Sequence, residues 1–497
     1  MDNTSVSLRR KISNAADFQS VIRMMKALAA RFELGWPIHK AAGKRRWKGL
    51  GLTAPKDRGP VRRSAPRCCR LVLRAVVLGV VYSVLASPVM AQEPVGKAVE
   101  PQKLTVPANY DLELVPALAQ YPVAEVYGKL PGDLVGGGRP SYMGTPLTMT
   151  ALGRYVAALQ QQGIAFNYLL NSSCQGNREW TRSWQKRFMR LLDTLGNLGI
   201  RHVTVSTPFL LEAIKARRPE FTVKVGIYAQ VDTPRRAKFW EDLGADTINL
   251  ESFSINRDFR RLAAIRAAVR CDLQLIANHC CLPNCPLQSY HQNGFAHSSD
   301  GSRTLFIDYC FLRCSQLRLE DPSLFVKSAW IRPEDLSRYE ALGYTTFKLI
   351  ERGMPSAELL KRVAAYSTRR FEGNLAELLL PYCFEQPVRR SRFWILRYFF
   401  KPFQLAPHKL WRLLELVRSQ GMLFPKQQLP VQIHAAQIPG DFLDAFQDRD
   451  CAATDCGSCG YCETISRQAV RIEPEFRRTS LEQFRAVRSA MTTGRLW

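Results

Sequence analysis

The chain has 497 residues, 46% hydrophobic and 23% charged, which is enough apolar material for a large core and excludes intrinsic disorder of the bulk. Its formal net charge is +27, yet residues 1–102 hold 19 basic against 6 acidic residues, so about half of the surplus sits on a fifth of the chain. The body is only moderately basic, and charge alone makes no case for nucleic-acid binding.

From Met1 to about Pro66 the sequence is basic, lacks sustained periodicity and reads as poorly ordered. Ala75 to Ala86 is a mostly apolar run preceded by Arg67, Arg70 and Arg74 and followed by small residues up to Ala91. As a helix it would span about 18 Å, short of the roughly 30 Å hydrocarbon core, so no stable transmembrane anchor is expected. A positive flank, a short apolar run and a small-residue site make 75–91 signal-like, although such a segment belongs at an N-terminus. Three readings stay open: a working chain that begins near Met90 or Lys103, a real targeting segment that would bring membrane association, or a helix packed on the body.

From Lys103 short β-rich runs alternate with amphipathic stretches. The runs cover 103–109, 123–130, 164–171, 201–207, 221–231, 246–252, 272–279 and 345–352. Between them lie helical patterns such as LTMTALGRYVAALQQQG, RFMRLLDTLGNLG and PRRAKFWEDLG, each closed by a glycine suited to the residue after a helix. Near-continuous apolar strands separated by helices imply a parallel sheet covered on both faces. Eight such units over about 250 residues predict a (β/α)8 TIM-type barrel, with a doubly wound open sheet as the alternative. In a barrel, chemistry gathers where strands end. Those ends carry Asn109, Tyr127, Lys129, Asn171, Ser206, Thr207, Gln230, Asp232, Glu251, Asn278, His279, Glu351 and Arg352, and Gly136-Gly137-Gly138-Arg139 after the second strand offers an anion seat.

Fourteen cysteines are too sparse for a small disulfide scaffold, but nine of them fall in two clusters, which favours metal ligation. After the seventh strand Cys281 with Cys285 and Cys310 with Cys314 make two C-x3-C pairs, with Cys280, Cys174 and His291 nearby. Four thiolates suit a 4Fe-4S cluster or zinc, and a catalytic mouth favours the cluster.

The segment Phe347-Lys348-Leu349-Ile350-Glu351-Arg352-Gly353-Met354 with the following SAELLKRVAAY resembles the Phe-Lys-Ile-Glu-Gly-Arg-Met signature and helix of the collagenase-like peptidase family U32. The preceding SAWIRPEDLSRYEALGY, the cysteine-rich segment and the Tyr127–Arg139 region are also similar to that family, so the resemblance spans about residues 103–370. The glycine stands later than in the usual Glu-Gly-Arg, and the cysteine spacing differs from the peptidase signature. The resemblance implies a (β/α)8 barrel and, for several relatives, a four-cysteine 4Fe-4S cluster. Some members resemble oxygen-independent hydroxylases acting on ubiquinone precursors or on a base in RNA, with prephenate as oxygen donor. No H-E-x-x-H or G-x-S-x-G motif supports peptide hydrolysis. On the hydroxylase reading Arg139, Lys348 and Arg352 hold a carboxylated cosubstrate, and Glu251 or Glu351 moves protons. His279 joins this catalytic group, and Tyr127, Lys129 and Asn171 join Arg139 in binding substrate. A structural ion-pair group of Lys348, Glu351 and Arg352 is the plainer alternative.

Residues 371–440 turn basic and aromatic, as in RRSRFWILRYFFKPFQLAPHKLWRLLELV, and read as a helical linker able to meet RNA, lipid or a partner. Residues 441–497 form a Cys-rich extension in which Cys451, Cys456, Cys459 and Cys462 supply a second four-thiolate set, for a second 4Fe-4S cluster or zinc. The expected layout is therefore a leader (1–102), a barrel (103–370), the linker and the extension. Expected partners are a small-molecule or lipid-like substrate, an electron donor protein, a homologous partner subunit or RNA. Metal clusters of this kind place the chain in the cytoplasm.

Overall fold

The β-rich runs pair in sequence order as parallel strands: β1 (Lys103–Pro107), β2 (Val123–Gly128), β3 (Ala165–Leu170), β4 (His202–Val205), β5 (Thr222–Val225), β6 (Thr247–Asn249), β7 (Asp272–Ile276) and β8 (Thr346–Lys348). β8 pairs back onto β1, with Thr105 opposite both Glu125 and Lys348, so the sheet closes into an eight-stranded barrel and the open-sheet alternative falls away. The computed structural model describes residues 102–301, 306–380, 398–399 and 429–496; the leader with its 75–91 segment and most of the 371–440 linker lie outside them.

Helices α1 (Val115–Leu118), α2 (Met149–Gln161), α3 (Arg182–Asn197), α4 (Pro208–Arg217), α5 (Pro234–Asp242) and α6 (Phe259–Ala268) link successive strands. Their starts follow from capping chemistry. Thr148, Thr181, Thr233 and Asp258 each accept a hydrogen bond from the backbone N–H three residues on. Gly199 and Gly244 follow α3 and α5 at φ of 78° and 99°, a conformation that side chains with a Cβ rarely adopt. Between β7 and β8 the chain makes four helices, α7 (Gln288–Ser298), α8 (Tyr309–Glu320), α9 (Ser323–Lys327) and α10 (Leu336–Glu340); α11 (Ser356–Thr368) and α12 (Ala376–Leu379) follow β8.

The two faces of each strand differ. Leu104, Val106, Val126, Phe166, Val203, Val223, Ile248, Leu273 and Phe347 are buried in the hydrophobic core. The alternate positions, Thr105, Glu125, Asn167, Thr204, Lys224, Asn249, Gln274 and Lys348, are polar and buried too. They point into the barrel, because Lys224 on β5 reaches Glu125 on β2 at 2.7 Å and Gln274 on β7 donates to Thr105 on β1 at 2.8 Å, strands that do not adjoin. Barrel interiors are ordinarily filled with branched apolar residues, so this polar filling is specific to the chain.

The end of the linker supplies β9 (Val431–Ile433) and the extension supplies α13 (Cys456–Cys459), α14 (Tyr461–Ala469), β10 (Val470–Ile472) and α15 (Pro474–Thr492), with β9 and β10 antiparallel, so the 440/441 boundary does not separate two bodies. Together they join the barrel in one compact unit. Arg477 of α15 donates to the carbonyls of Leu319 and Glu320 at the end of α8, at 2.7 and 3.0 Å, and Arg332 donates to the Ile438 and Pro439 carbonyls at 3.2 and 3.1 Å. Among the described residues no helix is long and apolar enough to cross a membrane.

Candidate active site and metal centres

The bottom of the site is the charged pair inside the barrel. Glu125 Oε1 accepts from Lys224 Nζ at 2.7 Å; Oε2 accepts from Asn167 Nδ2 at 3.1 Å and lies 3.2 Å from His202 Nδ1. Thr204 in turn donates to Asn167 Oδ1 at 2.7 Å. Burial alone would raise the Glu125 carboxyl, but Lys224 and His202 outweigh it and hold it down at about 2. Lys348, 8% exposed, lies above this layer with Nζ 4.1 Å from the centroid of the Tyr127 ring. Burial, with Lys224 and Arg352 adding to it against Glu125, pushes its ammonium down to about 7.

At the mouth, the end of β2 and the glycine triplet build a tight wall. Lys129 is buried and ion-paired to Asp133 at 3.1 Å, and its ammonium also meets the Gly136 carbonyl. Asp133 further accepts from Gly136 N at 2.9 Å and from the Tyr168 hydroxyl at 2.8 Å. Gly137 passes so close that a Cβ there would lie 2.8 Å from Asn171 Oδ1 and 3.1 Å from Lys129 Nζ. Asn171 Oδ1 is buried with no hydrogen-bond partner, an acceptor turned to this wall. Arg139 forms an ion pair with Glu351 and donates to the Arg352 carbonyl. Glu351 thus pairs with Arg139, and no described ion pair joins Lys348, Glu351 and Arg352 to one another.

Glu351 has φ of 101°, the left-handed side of the map where a glycine is the ordinary occupant. Its ion pair supports that conformation, together with Asn278, which accepts from Ile350 N at 2.7 Å and donates to the Leu378 carbonyl at 3.0 Å. Arg362, fully buried, adds a bond to the Leu380 carbonyl at 2.6 Å. Tyr127 donates to the Leu349 carbonyl at 3.0 Å.

Across the mouth lie the cysteines of the β7 loop and α8. The thiol of Cys281 is raised by burial above all, against Arg318, with Cys314, Cys285 and Cys280 pushing it further up. Burial first, then Asp308, Cys314 and Cys285, hold the Cys310 thiol up at about 12. Cys285 and Cys314 are thus within electrostatic reach of both Cys281 and Cys310. Arg318 adds a guanidinium 3.8 Å from Cys314 Sγ. Cys280 turns toward Ser328 Oγ at 3.8 Å, and Cys174 accepts from Gly176 N at 3.3 Å in its own loop.

His279 Nε2 lies 3.0 Å from Cys281 Sγ, and its Nδ1 lies 2.5 Å from Ser252 Oγ. Glu251 folds back on its loop, accepting from Phe253 N, Ser254 N and Ser254 Oγ at 2.7, 3.1 and 2.9 Å, and burial raises its carboxyl pKa. Among the described residues, His291, Asp308 and Cys310 are the group whose ligand atoms lie within 4.8 Å of one another. Neither thiol quartet is among the groups whose ligand atoms lie that close in the described residues.

The second quartet has its own cations. Arg257, 5% exposed, is stacked between Trp330 and Phe442 at 4.8 and 4.9 Å, and its Nε and one terminal nitrogen are buried with no hydrogen-bond partner. Its charge acts on Cys451 and Cys462. Arg449 donates to Cys459 Sγ at 3.5 Å, and Lys327, paired with Glu463, faces Cys456. Buried N–H groups of Arg257 that lack an acceptor, in the field of Cys451 and Cys462, fit an anionic thiolate centre.

The sequence reading missed Glu125, Lys224, Asn167, His202, Arg257 and Arg318. The signal for the first four was the single polar residue at each alternate strand position.

No family model matches the chain. It is 33% identical over 255 residues to the uncharacterized protease MJ1657 of Methanocaldococcus jannaschii, covering 51% of this chain and 75% of that one. Among solved structures it is similar to the U32 peptidase Mk0906, at 20% identity over 51% of this chain and 94% of that one with a TM-score of 0.39. It is also similar to a D-psicose 3-epimerase, at 13% identity over 40% and 82% with a TM-score of 0.26. With a third of its residues shared over three quarters of its archaeal relative, the chain belongs to the U32 peptidase family.

Proposed function

We propose that this U32 member is an iron-sulfur-dependent redox enzyme of the cytoplasm that hydroxylates a small or lipid-like substrate without oxygen, with electrons from a donor protein. The observation that carries the reading is the gathering of Cys281, Cys285, Cys310 and Cys314 at the C-terminal mouth of the barrel, which also carries Lys129, Arg139 and Arg352. A 4Fe-4S cluster held by these thiolates supplies one-electron transfer. Arg318 offsets thiolate charge. Arg352 is placed to hold a carboxylated cosubstrate, and the Arg139–Glu351 pair fixes the loop that presents it. Glu251, with both oxygens engaged by its own loop, shapes the β6 turn behind the thiols. The extension's quartet would serve as the electron inlet if it holds a second 4Fe-4S cluster, and would be purely structural if it holds zinc.

A peptidase is the second reading, favoured by the name of the archaeal relative and by the Cys281–His279–Ser252 line. A cysteine nucleophile needs a lowered thiol pKa beside an imidazolium. Here burial raises the thiol and pushes His279 down to about 3, which leaves both partners neutral.

Anaerobic purification followed by iron and acid-labile sulfide analysis tests the proposal. A colourless protein with zinc and no sulfide would end it, and casein cleavage that survives removal of the metal would install the peptidase. Nucleoside mass spectrometry of a deletion strain would reveal an RNA substrate as a missing modification.

A further inference from the structure

Three lysines line the inner wall and mouth of the barrel, and two of them have acid partners. Lys224 is paired with Glu125 and Lys129 with Asp133. Lys348 is 92% buried by the same measure and makes no hydrogen bond or ion pair with any described residue; it rests on the face of Tyr127. Four residues on, the partly buried guanidinium of Arg352 likewise has no partner among the described residues. Its loop is tied to the loop after β2 through the Arg352 carbonyl, which accepts from Arg139, and its charge is felt at Tyr127, Lys129 and Lys348 of the mouth. A buried amine without an acid and, four residues on at the same strand end, a cation made for carboxylates match the two adjacent groups of a 2-oxo acid.

We propose that Lys348 is a nucleophilic amine and that Arg352 holds the carboxylate next to the carbonyl it attacks, so that the barrel takes a 2-oxo acid as an imine. The inference goes beyond the redox reading, which needs only that a carboxylate be held, and stands without it. The neutral amine attacks the carbonyl carbon, forming the C–N bond as the C=O pair moves to oxygen. One proton passes from nitrogen to that oxygen, a second is taken up, and water leaves. The product is a protonated imine whose charge replaces the ammonium over the Tyr127 ring, and no electrons are exchanged with an outside reagent. The groups facing the amine are Tyr127 and Glu125 from β2, Lys224 from β5 and Arg352 beyond β8. With its ammonium held down at about 7, a sizeable share is nucleophilic at neutral pH.

The test is reductive trapping on the full chain, handled anaerobically, with pyruvate as the probe and cyanoborohydride as the reductant of the imine. Peptide mass spectrometry is expected to find N-carboxyethyl-lysine at Lys348 well above exposed lysines such as Lys238, with a rate that rises as pH passes through about 7. Lys348→Arg should abolish the adduct. Should that variant fail to fold, Arg352→Gln keeps the amine and should raise the pyruvate concentration for half-maximal labelling about 10- to 100-fold. Acetaldehyde, a carbonyl without a carboxylate, should label both proteins alike. Labelling of Lys348 no stronger than that of Lys238, or indifferent to Arg352→Gln, would overturn the proposal. Protein stripped of iron is expected to label as well, so failure of the imine and failure of the cluster are separate outcomes.

Discussion

Replacing Glu125 by Gln perturbs the charged layer inside the barrel with little change of shape. Both side chains of the Glu125–Lys224 pair are 8% exposed, and the carboxylate also holds Asn167 and His202. Its pKa of about 2, against an ordinary 4.5, corresponds by linkage to about 3 kcal/mol of stability. The sign follows from the direction. A depressed acid contributes fully above its unfolded pKa and loses that contribution as pH falls from about 4.5 toward about 2. Glu125→Gln also leaves Lys224 buried without a counter-charge, so the expected loss at pH 7 is about 3–5 kcal/mol. Denaturant midpoints by circular dichroism on the anaerobic full chain measure it, and the gap to wild type should narrow in acid. The double variant Glu125→Leu, Lys224→Met removes both charges and should recover most of the loss. A single variant within about 1 kcal/mol of wild type at pH 7, or a gap that does not change between neutral pH and about pH 3, would refute the reasoning.

Cys281→Ala and Cys456→Ala should each empty a different centre, read as separate partial losses of metal and sulfide; the same loss from either would mean one shared centre. Arg257→Leu removes the buried cation beside Cys451 and Cys462 and should lower metal retention by the extension about 10- to 100-fold in chelator competition, while the barrel centre keeps its metal. Gly137→Ala drives a Cβ into Asn171 and Lys129 and should cost about 1–3 kcal/mol by thermal melting, with loss of whatever the mouth binds.

The barrel was legible because each strand announces itself locally, as an apolar run bounded by caps and helix-closing glycines. The polar filling was not, because TVKV and VAEV each show only one charged residue, which reads as a solvated position until the sheet closes. Lys224 and Glu125 are 99 residues apart, and only closure brings β5 across from β2. The cysteines divide the same way. Spacing showed that thiols cluster, while the turn of Cys280 toward Ser328 and the bond from Arg318 on α8 to the Cys280 carbonyl at 2.6 Å depend on how the β7 loop folds over that helix. Arg257 gives no sequence signal for its role, since its partners Trp330 and Phe442 lie far along the chain.

The pairing of charges in the barrel says where its chemistry lies. A buried ion pair is a weak source of stability, and an unpaired buried charge is a cost. The chain nevertheless meets Lys224 with Glu125, Lys129 with Asp133 and Arg139 with Glu351, and so neutralises the cations that build the wall. Lys348 and Arg352 remain, both at the end of β8, with Lys348 over the Tyr127 ring and the charge of Arg352 felt at the same tyrosine. A fold selected for stability alone would have removed them or given them acids, as it did for their neighbours. Their isolation is the arrangement expected where the missing negative charge arrives with a ligand, and it places that ligand at the end of β8, beside the Tyr127 ring.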